Sequence, residues 1–173
     1  RDFERKITPR TKAVLAVHLM GGPCDMDPIL EIARKHKIAV LEDAAQAVGG
    51  SYKGKKLGSM GDVGIYSFQI NKMISSGEGG AVVTSNPLIY ERAVRYHDVG
   101  IFREIFEKRT GSNQAGSEGG QNFRLNEFTG AVLDAQLPKL DTMIQDMRRN
   151  AKAIADGIKD LPGLRWRKQP DPE

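Results

Sequence analysis

The 173-residue sequence holds one cysteine, Cys24. A single thiol cannot close an internal disulfide, which fits a reducing cytosol and sets the expectation of a cytoplasmic protein. It also has no second cysteine with which to clamp a metal. His18, His36 and His97 are scattered along the chain, so zinc is not indicated. No apolar run approaches the ~20 residues that span a bilayer, so no membrane partner is expected. The excess positive charge is small, a net of +4. The basic residues are dispersed, with short pairs at Lys55-Lys56 and Arg148-Arg149, and no basic stripe is interleaved with aromatics. That argues against nucleic acid. The glycines lack the GxxxxGK[ST] spacing of a P-loop, and no G-x-G-x-x-G follows the first apolar run, so neither nucleotide cradle is present. Residue 1 is Arg rather than Met, so the lack of a signal peptide carries no weight.

What is present describes a globular chain. Hydrophobic residues make up 39% and charged residues 28%, and the length suffices for one domain with a real core. Residues 13–19, AVLAVHL, form a continuous apolar run of the length of a buried parallel strand. His18 within it reads as a satisfied structural histidine. Gly-Gly-Pro at residues 21–23 marks a loop, Asp25 or Asp27 can cap a helix, and Ile29, Leu30, Ile32 and Ala33 give that helix an apolar face to about Lys37. Residues 38–41 are the next strand, and strand–helix–strand makes a parallel pair. Further on, the pattern predicts a short helix over 44–48, a small hairpin around Lys53-Gly54, strands over 63–68 and 81–84, and a helix from Pro87 to about His97. Residues 100–120 read as irregular, and their GSNQAGSEGG portion as mobile. From 126 to 158 the pattern is helical with a break at Pro138. Leu140, Met143, Ile144, Met147, Ala151 and Ile154 form a stripe expected to be core. Residues 164–166 read as the start of a strand.

The chemistry concentrates in residues 41–80, LEDAAQAVGGSYKGKKLGSMGDVGIYSFQINKMISSGEGG. One apolar run delivers Glu42 and Asp43 at its end, and a second delivers Ser67 and then Lys72. An acid and a lysine just past neighbouring strands point to a site at the strand tips of an α/β sheet. A desolvated lysine loses proton affinity and becomes a nucleophile, suited to a Schiff base with a carbonyl compound or with pyridoxal 5'-phosphate (PLP). PLP needs a carboxylate beside its pyridine nitrogen, and Asp43 is the candidate. Small Ala44 and Ala45 let a flat ring approach, Ser67 offers a hydroxyl for phosphate, and Gly77, Gly79 and Gly80 let backbone pass close to a ligand. Each has an ordinary alternative. Asp43 would serve equally in a turn or a cap, Lys72 as a solvated loop lysine, Ser67 as a plain strand-end serine, Gln46 as a surface glutamine and Asn122 as a turn residue.

These residues, EDAAQA, GSMGDVGIYSF, the spacing from Ser67 to Lys72 and SSGEGGAVVTS, closely resemble the DegT/DnrJ/EryC1/StrS family of PLP-dependent sugar aminotransferases. The likeness extends upstream through AVHLMGGPCDMDPILEIARKHKIAVLEDAA and downstream through GQNFRLNEFTGAVLDAQLPKL. It implies an α/β fold, a partial aspartate aminotransferase type (PLP fold type I) large domain whose mostly parallel sheet is flanked by helices. Residues 1–160 would be part of the PLP-binding large domain, and 161–173 the start of a C-terminal small domain. The strand over 81–84 would be the one antiparallel strand. The resemblance implies that Lys72 forms the Schiff base and moves the proton, and that Asp43 partners the pyridine nitrogen. Ala45 would pack on a ring face, Gln46 contact the ring-hydroxyl side and Ser67 bind phosphate. Asn122 would reach the phosphate of a neighbouring subunit's cofactor, with Arg124 near that shared site. The expected reaction moves an amino group from glutamate or glutamine to a keto-sugar, nucleotide-linked, in a homodimer, and some of the positive charge would attract such phosphate-bearing ligands.

Two alternatives stand beside it: a PLP-dependent sugar dehydratase, in which histidine replaces the lysine, and an inactive scaffold or dimerisation fragment. Complete family members are longer, with an N-terminal Gly-Thr phosphate loop, a ring that stacks on the cofactor and a closing C-terminal domain. The chain is therefore expected to be a fragment that binds PLP weakly or not at all when alone.

Overall fold

The computed structural model describes residues 2–111 and 119–171. After a short helix α1 (Asp2–Lys6), strand β1 (Ala13–Val17), helix α2 (Met26–His36) and strand β2 (Ala39–Asp43) form the expected βαβ unit. A two-stranded hairpin follows, β3 (Ser51–Tyr52) and β4 (Lys55–Lys56), then β5 (Val63–Ser67) and β6 (Gly80–Val83). Beyond the sheet lie α3 (Pro87–His97), α4 (Glu104–Thr110), α5 (Glu127–Gln136) and α6 (Leu140–Ile158). The main sheet has the order β1-β2-β5-β6; the first three strands are parallel and β6 runs antiparallel to β5. Its location as the single antiparallel member matches the expectation.

Register decides which side chains share a face. Val14, Ala16 and His18 lie on the side of Val40 and Glu42, where Gly64 and Tyr66 join them. α2 covers this side with Met26 and Ala33, and the hairpin adds Tyr52 and Leu57. A second cluster, Val48, Phe68 and Ile74, packs with Leu133, Leu140 and Met143. Leu15 and Val82, on the opposite side, are 55% and 54% exposed.

Local chemistry explains the helix ends. Asn86 accepts from the Leu88 and Ile89 amides, and Pro87 occupies the first turn of α3. Asn126 caps α5 in the same way through the Thr129 amide. Asp25 takes the capping position of α2, yet its carboxylate accepts the Tyr52 hydroxyl at 2.8 Å instead of a helix amide. At Pro138 the helical run tightens into a 3-10 turn, Leu137–Lys139, before α6 resumes.

Four expectations are corrected. Residues 44–48 are two successive turns rather than a helix, closed by Ala47 N–H to Ala44 O and Gly50 N–H to Ala47 O. Asp43 diverts the Ala45 amide to its own carboxylate there, a local bond that competes with helix. Residues 100–120 are not wholly irregular, because α4 lies among them with Phe106 edge-on to Tyr90. The stretch expected to be mobile, GSNQAGSEGG, lies mostly outside the described residues. The α6 stripe is only partly core: Leu140, Met143 and Ile144 pack inward, whereas Met147 and Ile154 are 54% and 61% exposed. Residues 164–166 form no strand. Among the described residues no helix is long and apolar enough to cross a membrane.

Candidate active site at the strand tips

Because β1, β2 and β5 are parallel, their carboxyl ends share one edge of the sheet. His18, Asp43 and Ser67 stand at that edge. The chain from Phe68 to Gly79 leaves and returns there, since Ser67 pairs with Gly80 and Phe68 N–H reaches Gly79 O at 2.8 Å. Lys72, inside this closed excursion, is held past the tip of β5, its amide donating to Gln69 O at 2.9 Å. Asp43 and Lys72 thus follow adjacent strands at the same edge.

Their side chains are unevenly engaged. Asp43 is half-buried; its Oδ1 accepts the Ala45 amide at 3.0 Å, and its Oδ2 has no partner among the described residues. Lys72 is also half-buried, and its Nζ makes neither a hydrogen bond nor an ion pair there. Ser67 Oγ accepts the Gln69 amide at a long 3.4 Å, leaving its proton to donate. Gln46 Oε1 accepts the Met20 amide at 2.9 Å and so pins the loop after β1; its NH2 group is free to donate. Gln46 and Met73, the residue after Lys72, line a cleft of about 570 Å³ with Met20, Val48 and Ile144. Ala45 is half-buried beside Asp43, and Ala44 is fully enclosed. Gly77 has φ +88° with open space around it, a conformation that favours glycine.

Asn122 stands apart. It bridges to Asp98 at the end of α3 and accepts the Arg124 amide at 3.3 Å. No described hydrogen bond joins it to Asp43, Ser67 or Lys72. Its segment nevertheless returns toward the same edge, since Leu125 packs on Gly79. Arg124 and Arg103 both donate to Asp98, which is almost fully buried. The Arg103 bonds, then the Arg124 bond, hold the Asp98 carboxyl well below the usual carboxylate range.

The chain also matches known proteins. A model of the DegT/DnrJ/EryC1/StrS aminotransferase family matches residues 1–173. The chain belongs to that family. It is 38% identical to GDP-perosamine synthase of Escherichia coli O157:H7 over 162 residues, covering 92% of this chain and 42% of that protein. It is 38% identical to dTDP-3-amino-3,4,6-trideoxy-alpha-D-glucose transaminase of Streptomyces venezuelae, covering 93% and 40%. Among solved structures, E coli GDP-4-keto-6-deoxy-D-mannose-3-dehydratase with bound hydrated PLP superposes at a TM-score of 0.83 with 29% identity, covering 96% of this chain and 46% of that one. The chain therefore spans less than half the length of these relatives, and its sheet is part of the PLP fold type I large domain.

PLP is the cofactor of this family, and the residues present fit it. Among the described residues Asp43 Oδ2 and the Lys72 amine have no partner, the Ser67 hydroxyl keeps its proton to donate, and the backbone at Gly77 is open, chemistry compatible with an aldehyde-bearing, phosphorylated pyridine.

Sequence reasoning left one group out. Glu42, fully buried and one residue before Asp43, accepts from Gly58 N–H at 2.8 Å, from Met60 and Gly61 N–H at 2.6 Å each, and from His18 Nε2 at 3.1 Å. Burial pushes its pKa up, but His18 and the three amides outweigh burial and hold it below its ordinary value. His18 is the satisfied histidine expected. Its Nδ1 accepts the Cys24 amide at 3.1 Å, so the ring proton sits on Nε2 and points at Glu42. Burial works against a charged ring, but Cys24 and Glu42 outweigh it and raise the His18 pKa to about 9; the Cys24 amide at Nδ1 opposes this, since a second proton there would have to displace it. The available signal was an acid inside an apolar strand together with glycines three apart, Gly58, Gly61 and Gly64.

Proposed function

We propose that the chain forms the core of the PLP-binding domain of a sugar aminotransferase, one that moves an amino group from glutamate or glutamine to a nucleotide-linked keto-sugar. What supports this reading is that Asp43 ends β2 with an Oδ2 that has no partner among the described residues, and that Lys72 follows the neighbouring strand β5 with an Nζ likewise without a partner among them. When bound, PLP supplies an aldehyde that takes up the amino group and a ring that withdraws electron density from the adjoining carbon. Lys72 holds the cofactor and carries the proton to and from that carbon. Asp43 keeps the pyridine nitrogen protonated through its open carboxylate oxygen. Gln46 donates its free amide to the ring-hydroxyl side, Ala45 gives a ring face room, and Ser67 donates to phosphate. Asn122, which makes no hydrogen bond to Asp43, Ser67 or Lys72 among the described residues, serves the phosphate of a second copy in a homodimer.

Residues 1–160 are read as large domain and 161–173 as the approach to a second domain; the uncovered face bearing Leu15 and Val82 supports a larger parent sandwich. The single cysteine supports a cytoplasmic setting. A dehydratase is the second reading, favoured by the likeness to the E coli enzyme; the lysine at position 72 favours amino transfer.

The longer protein that contains this sequence, incubated with PLP and reduced with borohydride, is expected to carry the label at Lys72 ahead of its other lysines, and Lys72→Ala to lose it. Labelling spread over surface lysines with Lys72 untouched overturns the assignment. Single-turnover amino transfer by the longer protein that contains this sequence then separates an aminotransferase from a dehydratase or a scaffold.

A further inference from the structure

Glu42 is an unusual residue for its position. It lies in the middle strand of the parallel set, fully enclosed, where an apolar side chain would fill the space without desolvating a charge. Its donors come from two sides: a loop at the amino end of β5 that folds over Gly64, and His18 at the carboxyl edge. Gly58, Met60 and Gly61 belong to the loop that feeds β5, and His18 ends β1. The loop can reach the carboxylate because Gly64, paired with Glu42 in the sheet, has no side chain: a Cβ there would lie 1.8 Å from Gly58 O. His18 grips β2 twice, through Nε2 to Glu42 and through its own amide to Asp43 O at 3.0 Å. On the other flank the Ala44 amide bonds Ile65 O at 3.0 Å. Asp43 therefore projects from a strand tip tied to β1, to β5 and, through its neighbour, to the loop beneath.

We infer that Glu42 is the positioning residue of this site: it touches no substrate, but its buried carboxylate sets where the Asp43 side chain stands relative to the tip of β5, which carries Ser67 and leads to Lys72. The inference rests on the proposed PLP site for its functional meaning, while its structural content is testable without PLP.

Glu42→Gln keeps the shape and turns one acceptor oxygen into a donor facing backbone N–H groups. The comparator is Val94→Ala, a buried site on α3 chosen to lower stability without touching the strand tips. Amide hydrogen exchange is followed in the 173-residue chain without PLP. Exchange at Met60, Gly61 and Ala45 is expected to rise at least tenfold in Glu42→Gln but not in Val94→Ala, and the carboxyl 13C resonance of Asp43 to shift only in the former. Acceleration confined to Met60 and Gly61, with Ala45 and the Asp43 resonance unmoved, makes Glu42 a loop strut and overturns the inference. His18→Leu removes one donor of four and gives the same pattern in weaker form if Glu42→Gln fails to fold; an unmoved Ala45 and Asp43 there overturn it equally. Borohydride trapping with PLP in the longer protein that contains this sequence, the parent of this comparison, is the second arm. Lys72 labelling in the parent that drops at least tenfold in Glu42→Gln supports the inference. No Lys72 labelling in the parent defeats the proposed function, while the exchange data still decide the role of Glu42.

Discussion

Replacing Gly64 by Ala tests how tightly the 58–61 loop is seated on the sheet. The backbone at Gly64 is ordinary strand, so alanine brings no conformational strain, and on chain entropy alone it would stabilise by about 0.4–1 kcal/mol. The new Cβ would stand 1.8 Å from Gly58 O. Ordinary contact begins near 3.4 Å, so the loop must withdraw by roughly 1.5 Å, measured against normal packing. The bond from Gly58 N–H to Glu42, 2.8 Å long, does not survive such a shift. Losing one bond to a buried carboxylate costs about 1.5–3 kcal/mol, and overpacking adds about 1–3 kcal/mol. Net of the entropic gain, the variant should lose about 2–5 kcal/mol. Urea unfolding followed by circular dichroism reads this as a lower midpoint at unchanged slope, and a thermal melt as a fall of roughly 5–20 °C for a domain of this size. A variant within about 0.5 kcal/mol of the parent, the range of a surface substitution, would refute the reasoning and mean that the loop does not lie against the strand.

Gly130 offers the opposite case. It lies inside α5 with nothing within 4 Å of a Cβ, so Gly130→Ala should raise the urea midpoint, by about 0.5–1 kcal/mol of stability. Asp98 gives a pH dependence. Its carboxyl is depressed by Arg103 and Arg124, so its contribution is present above the unfolded carboxyl value of about 3.9 and is lost as pH falls through the lower folded value. Asp98→Asn should be less stable than the parent at pH 7, and the gap should narrow at pH 3; urea midpoints at the two pH values check this, and a constant gap contradicts it.

Much of this protein was legible in one dimension because the signals are local. Period and length placed β1, α2, β2, β5 and α3 within a few residues, and proline chemistry at Pro87 and Pro138 marked a helix start and a helix break. The placing of an acid and a lysine past two apolar runs made Asp43 and Lys72 candidates, because parallel strands must end on one edge. Where a residue could bond its own neighbours or distant ones, local pattern was blind. The Asp43 carboxylate captured the Ala45 amide and left turns where helical residues stood. The apolar stripe of α6 repeats at the right interval, yet only its first turns meet a partner, and periodicity cannot tell which part of a face will be covered. Glu42 shows the limit most plainly. Beside Asp43 it reads as a second acid of the same kind, but alternation along a strand sends neighbours to opposite faces, and only the folded sheet showed which face receives the loop amides and His18. The types of chemistry available were written in the residues; which of the two carboxylates would be enclosed by donors depended on three-dimensional contacts between segments 16 to 24 residues apart.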